Sequence, residues 1–298
     1  MAIKTVDRAS NSWLARPKVN LFLHVTARRD DGYHMLESLV SFVDSGDRLD
    51  VSAGEFLSLS VDGPFAGALE QGQGNLVLSA ALALQDWARE AGHAVAGAEL
   101  VLEKNLPIAS GIGGGSADAA AALNALVSLW GLEISKDELL GIALELGADV
   151  PVCVESRSRI MRGIGEVLMD APRMPPSWMV LANPMREVST AQVFSALDLT
   201  EPSSAIEMPD GLASAAELGA WLGAKTRNDL EAPARAIEPA IDTVLSALDQ
   251  CDGAHIARMS GSGATCFALF GSEAEANAAK DALQSEYPEW WVEAAALV

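Results

Sequence analysis

The chain contains few cysteines, and their spacing fits no cross-linked or metal-binding pattern. Cys153, Cys251 and Cys266 are the three cysteines among 298 residues. They make neither an even disulfide set nor a Cys-x-x-Cys metal pair, and no histidine cluster accompanies them. We therefore expect small apolar side chains in a reducing compartment and no disulfide framework.

Long apolar runs are also missing. No stretch approaches the roughly 18 apolar residues of a membrane span, and the first twenty residues mix charged with polar side chains where a signal core would be apolar. We expect a cytoplasmic protein without a membrane partner. The length suits one large or two ordinary domains with a substantial core.

Basic residues are scarce. The chain has 20 Lys and Arg against 41 Asp and Glu, a formal net charge of −21. Such a surface repels nucleic acid, and the plain alternative for the charge is solubility. An anionic ligand would need a locally positive site made of backbone N–H groups and a few lysines.

What the chain does contain is a glycine-rich run between a strand pattern and a helix pattern. It reads Leu106-Pro-Ile-Ala-Ser-Gly-Ile-Gly-Gly-Gly-Ser-Ala-Asp118. Alternation over 98–103 predicts a strand before it, and the alanine- and leucine-rich stretch 116–129 predicts a helix after it. Gly111, Gly113, Gly114 and Gly115 permit positive φ, so N–H groups can converge on phosphate at the helix N-terminus.

Two better-known templates do not fit this run. A P-loop requires Gly-Lys-Ser/Thr at its end, and a dinucleotide fingerprint requires a sixth-position glycine where Ser116 stands. A flexible hinge or a tight strand-to-helix turn remains the plain alternative for a glycine cluster taken alone.

Other elements follow from periodicity and capping residues. A capping box at Ser135 and Glu138 predicts a helix closed by Gly147, which leaves Asp149 on a short loop before Pro151. Prolines at 172, 175, 176 and 184 are interpreted as a domain junction, and Thr200–Asp210 as a surface loop. Further predicted strands cover 19–25, 48–51, 57–61, 255–259 and 265–270, and further helices cover 75–91 and the stretch capped by Ser272.

Four segments together resemble one family. They are Pro17-Lys-Val-Asn-Leu-Phe-Leu23, Asp31-Gly-Tyr-His34, the glycine run with Gly147-Ala-Asp-Val-Pro151 after it, and Ser260-Gly-Ser-Gly263. In this order they resemble the GHMP small-molecule kinases, over roughly residues 13 to 285. The sequence departs from the family pattern at Ala109-Ser110, where glycines are usual, and at Ala117-Asp118.

The resemblance implies an α+β, two-domain GHMP kinase fold. Its N-terminal domain, 1–165, would be a ribosomal protein S5 domain 2-like nucleotide-binding domain, and its C-terminal domain, 166–298, a ferredoxin-like α/β layer. The first three segments together resemble most the branch that transfers the γ-phosphoryl group of ATP to the 2-hydroxyl of 4-diphosphocytidyl-2-C-methyl-D-erythritol with Mg²⁺, on the non-mevalonate isoprenoid route. Another GHMP branch, such as homoserine or mevalonate kinase, and a catalytically silent nucleotide or metabolite sensor are the alternatives.

Roles carry over from the family position by position. Asp149 would be the catalytic base and Lys18 its electrostatic partner, although by themselves these residues also suit a turn former and a solvated charge. Cytosine would lie between Tyr33 and Phe194 and be read by His34, with Asn20 and Thr190 at the diphosphate or methylerythritol end. The implied ATP-binding residues are Pro107, Ile108, Ala109, Ser110, Gly111, Ile112, Gly113, Gly114, Gly115, Ser116 and Ala117, with Asn75 and Lys104 at the adenine. Metal ligands are not assigned, and a monomer or weak homodimer is expected.

Overall fold

The chain forms two compact units, and neither is continuous in sequence. The computed structural model describes residues 11–68, 74–198 and 206–298. The first unit comprises the described residues up to 15, together with 46–108 and 115–154. The second comprises 16–45, 109–114 and 155–298, so the chain passes between the units several times.

The described elements are twelve strands, nine α-helices and one 3₁₀ turn, Ala66–Ala68. The strands are β1 Ser12–Ala15, β2 Lys18–Arg28, β3 His34–Phe42, β4 Asp47–Gly54, β5 Ser58–Asp62, β6 Gly97–Glu103, β7 Arg159–Gly163, β8 Val167–Asp170, β9 Trp178–Asn183, β10 Ala257–Met259, β11 Cys266–Phe270 and β12 Trp291–Ala296. The helices are α1 Leu76–Glu90, α2 Gly114–Trp130, α3 Lys136–Leu146, α4 Val150–Glu155, α5 Thr190–Ser195, α6 Ala215–Lys225, α7 Glu231–Ile237, α8 Ala240–Asp249 and α9 Glu273–Glu286.

Helix ends form where polar caps stand in the sequence. Asn75 Oδ1 accepts a hydrogen bond from the Val77 N–H at 2.9 Å and starts α1. The predicted capping box of α3 is present in full, with Ser135 and Glu138 satisfying each other's backbone N–H groups. Ser272 caps α9 in the same manner through the Glu275 N–H. These three predictions are confirmed.

The first unit is built on a four-stranded sheet in the order β1-β4-β6-β5. Its central pair, β4 and β6, is antiparallel from Arg48↔Glu103 to Gly54↔Gly97, and β5 runs parallel to β6. Alternate residues such as Leu49 and Leu100 are buried, as the period-two pattern predicts. The strands predicted at 48–51, 57–61 and 98–103 are therefore confirmed.

The second unit contains two antiparallel sheets, β2-β3-β7-β8 and β10-β11-β9-β12. In the latter, chain order runs strand, helices, strand, strand, helix, strand, which is the ferredoxin-like arrangement predicted for the C-terminal part. Buried apolar residues from β9, β11 and α8, including Val180, Phe270 and Val244, form one of its cores.

Several expectations did not anticipate this architecture. Helices α5 to α8, inserted between β9 and β10, were not predicted. The four prolines interpreted as a junction flank β8 and β9 inside the second unit, so they do not mark a crossing between the units. Part of the predicted loop Thr200–Asp210 lies outside the described residues. The boundary at 165 stays a prediction.

The structure also bears on the cysteines and on membrane-spanning helices. Cys153 and Cys266 are buried and Cys251 is half-buried, and no disulfide bond joins them. In the described part of the chain, every helix is too short or too polar to span a lipid bilayer.

Candidate active site

The glycine run leads directly into helix α2. The helix begins at Gly114, two residues earlier than predicted, so Gly114 and Gly115 take part in its first turn. Of the four glycines expected to use positive φ, only Gly111 (+78°) and Gly113 (+64°) do so. Ala109 also holds a positive φ, +51°, although it has a Cβ. The prediction of a strand, a glycine turn and a helix is confirmed.

Gly111 packs against the backbone of the Ser260–Gly263 turn, which joins β10 to β11. A Cβ on Gly111 would lie 2.6 Å from the Gly263 carbonyl oxygen and 2.8 Å from that of Ser260. A Cβ on Gly261 would lie 2.7 Å from the Gly111 carbonyl oxygen. Side chains are thus excluded on both sides, and two motifs more than 140 residues apart meet through backbone atoms.

Lys18 lies against the same run. Its backbone N–H donates to the Ile112 carbonyl at 3.0 Å. Its side chain passes the α-carbon of Gly113, where a Cβ would meet the lysine Cγ at 2.9 Å. The Lys18 Nζ donates to Asn20 Oδ1 at 3.3 Å, and the residue is only 7% exposed. Lys18 is therefore a buried cation and not the solvated charge that its sequence position alone would suggest.

Asn20 connects the start of β2 to both glycine motifs. Its backbone N–H donates to Ser260 Oγ at 3.1 Å, and that hydroxyl donates to the Gly111 carbonyl at 3.3 Å. Its Nδ2 donates to Ser38 Oγ at 2.7 Å on the paired strand β3. The predicted residues Lys18, Asn20 and Gly111 are thus brought together inside one unit.

Asn228 is a residue of this region that the sequence analysis missed. Its Nδ2 donates to the carbonyls of Met259 (2.9 Å) and Gly261 (2.8 Å), and its Oδ1 accepts from the Leu230 N–H at 3.0 Å. It holds the turn against which Gly111 packs. The signal in the sequence is weak, because Asn228 lies about thirty residues before its partners.

Some of the residues predicted to bind the acceptor substrate contact one another or the glycine turn. The His34 and Phe194 rings stack at 5.0 Å with an interplanar angle of 24°, and Thr190 Oγ1 lies 2.8 Å from Ser262 Oγ, next to the glycine turn. Tyr33 is 60% exposed on the loop before β3. The His34 ring thus covers a face of Phe194, the residue predicted to stack on cytosine. The Tyr33 ring is exposed.

The electrostatic setting of His34 favours its neutral form. Partial burial lowers the pKa of the imidazole below its ordinary value of 6.5, and the nearby Arg28 lowers it further. A neutral imidazole carries both a donor and an acceptor, which is what reading the polar edge of a flat base requires.

The first unit carries the remaining predicted residues. A Cβ on Gly115 would lie 3.5 Å from Leu76 Cδ1, so the first turn of α2 adjoins the start of α1 and its cap Asn75. Asp149 is half-buried in the turn between α3 and α4, where its carbonyl accepts the first helical hydrogen bond from the Cys153 N–H at 3.3 Å. This is the short tether predicted for it.

Lys104, predicted at the adenine, has a buried and paired side chain, and its contact with adenine stays a prediction. It is 2% exposed at the end of β6, and its Nζ is paired with Asp47 and, at 2.7 Å, with Asp118 Oδ2. Both carboxylates raise the pKa of the ammonium by more than burial lowers it. This geometry gives Lys104 a structural task, because its charged end is fully engaged.

The comparisons with known proteins agree with this geometry. The family "GHMP kinases N terminal domain" matches residues 75–157, and "GHMP kinases C terminal" matches 211–289. A 4-diphosphocytidyl-2-C-methyl-D-erythritol kinase of Cereibacter sphaeroides is 50% identical over 283 residues, 94% of this chain and 97% of its own. The chain belongs to the GHMP kinase family, in its 4-diphosphocytidyl-2-C-methyl-D-erythritol kinase branch.

Two further relatives belong to the same branch. The kinase of that name from Sinorhizobium medicae is 48% identical over 286 residues, 94% of this chain and 93% of its own. A crystal structure of a 4-(cytidine 5'-diphospho)-2C-methyl-D-erythritol kinase superposes with a TM-score of 0.77 at 33% identity, covering 96% of this chain and 98% of that one. The α+β, two-domain GHMP kinase fold predicted from the motifs is therefore confirmed.

Proposed function

We propose that this chain transfers the γ-phosphoryl group of ATP to the 2-hydroxyl of 4-diphosphocytidyl-2-C-methyl-D-erythritol, giving the 2-phosphate and ADP. The observation that carries the proposal is the match to kinases of that name at about half identity along nearly the whole of both chains. The glycine run supports it, because it ends in the first turn of α2, where the N–H groups of a helix N-terminus suit phosphate.

Phosphoryl transfer of this kind depends on positioning and charge more than on covalent chemistry. The N–H groups of residues 109–117 and the positive end of α2 would hold the ATP phosphates. Lys18 is buried beside Gly113. It would stabilise the negative charge on the γ-phosphoryl group while the bond to the 2-hydroxyl oxygen forms and the bond to ADP breaks. Asp149 would take the proton from the 2-hydroxyl as that oxygen attacks, and ADP would leave.

Acceptor recognition would rest on the second unit. Tyr33 and Phe194 offer aromatic faces for cytosine, and neutral His34 offers a donor and an acceptor for its edge. Asn20, and Thr190 beside Ser262, would meet the diphosphate or methylerythritol end. In this arrangement the His34 ring would leave the face of Phe194 when cytosine binds.

The described residues offer no ready-made metal cage, since they include no group of three or more His, Cys, Asp or Glu arranged to hold an ion. Mg²⁺ fits this site as a partner of the ATP phosphates, with their oxygens and water as ligands, and would neutralise phosphate charge there. Asp118 is buried, and its Oδ2 is engaged by Lys104. Cytoplasmic location and a monomer or weak dimer stay predictions.

The deciding experiment is ADP release with Mg·ATP and the cytidyl substrate, run beside mevalonate, homoserine and galactose. We expect turnover with the cytidyl substrate alone. In Asp149→Asn, ligand affinities should stay within a few-fold while kcat falls by roughly 10²–10⁴, the usual contribution of a positioned base. Turnover with another alcohol would move the chain to a sister branch, and binding without turnover would identify a silent sensor.

A further inference from the structure

Three buried titratable side chains in the first unit are connected to the segments before and after the glycine run. Lys104 follows β6 directly, Asp47 begins β4 and Asp118 lies in the second turn of α2. The Lys104 Nζ contacts both carboxylates, and the three residues are 2%, 0% and 3% exposed respectively. Neither Asp47 nor Asp118 has been given a role in the reaction.

Asp47 does more than pair with the lysine. Its Oδ1 accepts hydrogen bonds from the backbone N–H groups of Asn105 at 2.5 Å and Leu106 at 2.8 Å. These are the last residues before Pro107 and the glycine run. One carboxylate oxygen therefore holds the segment that enters the run, and the other reaches the lysine.

Asp118 holds the other end. Its Oδ2 accepts from the Lys104 Nζ at 2.7 Å, while its backbone belongs to the helix into which the run leads. The chain before the run and the chain after it are thus joined through a single ammonium group. The segment 107–113 between them is short, so its backbone course depends on where these two ends are held.

Stability alone is a poor reason for such a cluster. Desolvating three charges costs about as much as their attraction returns, and well-packed apolar side chains often serve equally well. A directional cluster differs from an apolar one because it specifies where the attached backbone lies. Misplacement of a phosphate-binding backbone by about an ångström is enough to weaken transition-state contacts markedly.

We propose that Asp47 is a positioning residue for ATP, which acts through Lys104 and the N–H groups of Asn105 and Leu106 to set both ends of the glycine run. The inference rests on the proposed function, because it takes that run to be the phosphate site. Its expected signature is a defect in nucleotide affinity that spares the acceptor.

The test compares Asp47→Ala, Asp47→Asn and Leu139→Ala in the full chain, with ADP as the binding probe and with KM for Mg·ATP and for the cytidyl substrate. Asp47→Ala should weaken ADP binding and raise the KM for ATP by about tenfold or more, while the acceptor KM stays within about twofold. Asp47→Asn retains an oxygen for both N–H groups but loses the acceptor for Lys104 Nζ, so its loss should lie between those of the wild type and Asp47→Ala. Leu139 is a buried residue of α3 in the same unit and controls for loss of stability.

The outcomes separate the two ideas. If Leu139→Ala lowers ADP affinity as much as Asp47→Ala at a matched loss of Tm, or if both substrates' KM values rise together, the positioning role is wrong. If the wild-type enzyme phosphorylates the cytidyl substrate but Asp47→Ala binds ADP as tightly as the wild type, the positioning role is wrong and the proposed function stands. If the wild-type enzyme does not phosphorylate that substrate but Asp47→Ala binds ADP more weakly, the proposed function is wrong and the positioning role stands. If Asp47→Ala does not fold, the same measurements on Asp118→Ala and Asp118→Asn test the end of the run that leads into α2.

Discussion

Two regions of the chain hold parts of the glycine run, and they do so by opposite means. In the second unit, Gly111 and Gly261 approach so closely that neither position has room for a Cβ, and Ser260 Oγ donates a hydrogen bond to the Gly111 carbonyl. In the first unit, Lys104 and two carboxylates are buried together. The first contact is sensitive to volume and the second to charge, so different perturbations should affect them.

The largest expected loss of stability and activity comes from adding side-chain volume at Gly111. Gly111→Ala introduces a Cβ at a φ of +78° and 2.6 Å from a backbone oxygen. The left-handed conformation alone costs about 1–2 kcal/mol, and the contact adds to it. We expect a loss of at least about 2 kcal/mol in urea unfolding and a fall in kcat/KM of about 10² or more.

Gly223→Ala is the matched control for that prediction. Gly223 lies in α6 with nothing within 4 Å of a Cβ, so the same substitution should stabilise the protein by about 0.5–1 kcal/mol. Equal losses in the two variants would show that the Gly111 contact is not the sensitive one.

The next effect is that of charge. Burial raises the pKa of Asp118 to about 8, Lys104 opposes the rise and Asp47 adds to it. Within the described residues, Asp118 Oδ1 has no hydrogen-bond partner, which suits a proton on that oxygen. The folded state therefore binds a proton that the unfolded state has released between about pH 4 and pH 8, and stability from this group falls as the pH rises through that window.

Asp118→Asn removes the titration without changing the shape of the side chain. As the pH rises toward 8, the unfolding free energy of the wild type should fall relative to that of this variant, by about 1 kcal/mol per pH unit at most. The difference should level off above pH 8. Urea unfolding from pH 5 to pH 9 measures it. A difference that is flat with pH would mean that the cluster keeps both carboxylates charged.

The smallest effect sharpens the comparison at Ala109, the one residue of the run with a Cβ at positive φ. Ala109→Gly relieves about 1–2 kcal/mol of backbone strain but adds about 0.4–1 kcal/mol of unfolded-chain entropy. We expect a net gain of about 0.5 kcal/mol in unfolding free energy. A loss would show that the Ala109 side chain itself contributes contacts.

Local signals accounted for much of the fold. The helices capped by Ser135 and Ser272 were predicted because a capping side chain and its partner N–H lie within four residues, and α1 was predicted from the helical spacing of its apolar residues. Helix α6 carried the same kind of signal, Ser214 with Glu217, and the sequence analysis overlooked it. Helices α7 and α8 have no side-chain cap, which explains why they were harder to find.

The site divides in the same way. The motifs predicted a set of site residues, and within the second unit the structure joins Lys18, Asn20 and the glycine run. Asn228 was missed because its partners are distant in the chain. The ion pairs of Lys104 were not predicted, because nothing near it in sequence shows that Asp47, 57 residues earlier, would be buried against it.

By itself, the sequence determined the family, the capped starts of α3 and α9 and the strand periodicity, since all of these depend on residue type at short spacing. Only the tertiary structure decided which two glycines use positive φ, that Gly111 meets the Ser260–Gly263 turn, and that Lys104 is enclosed by two carboxylates. These features arise from close packing and desolvation between segments far apart in the chain, and no local pattern encodes them.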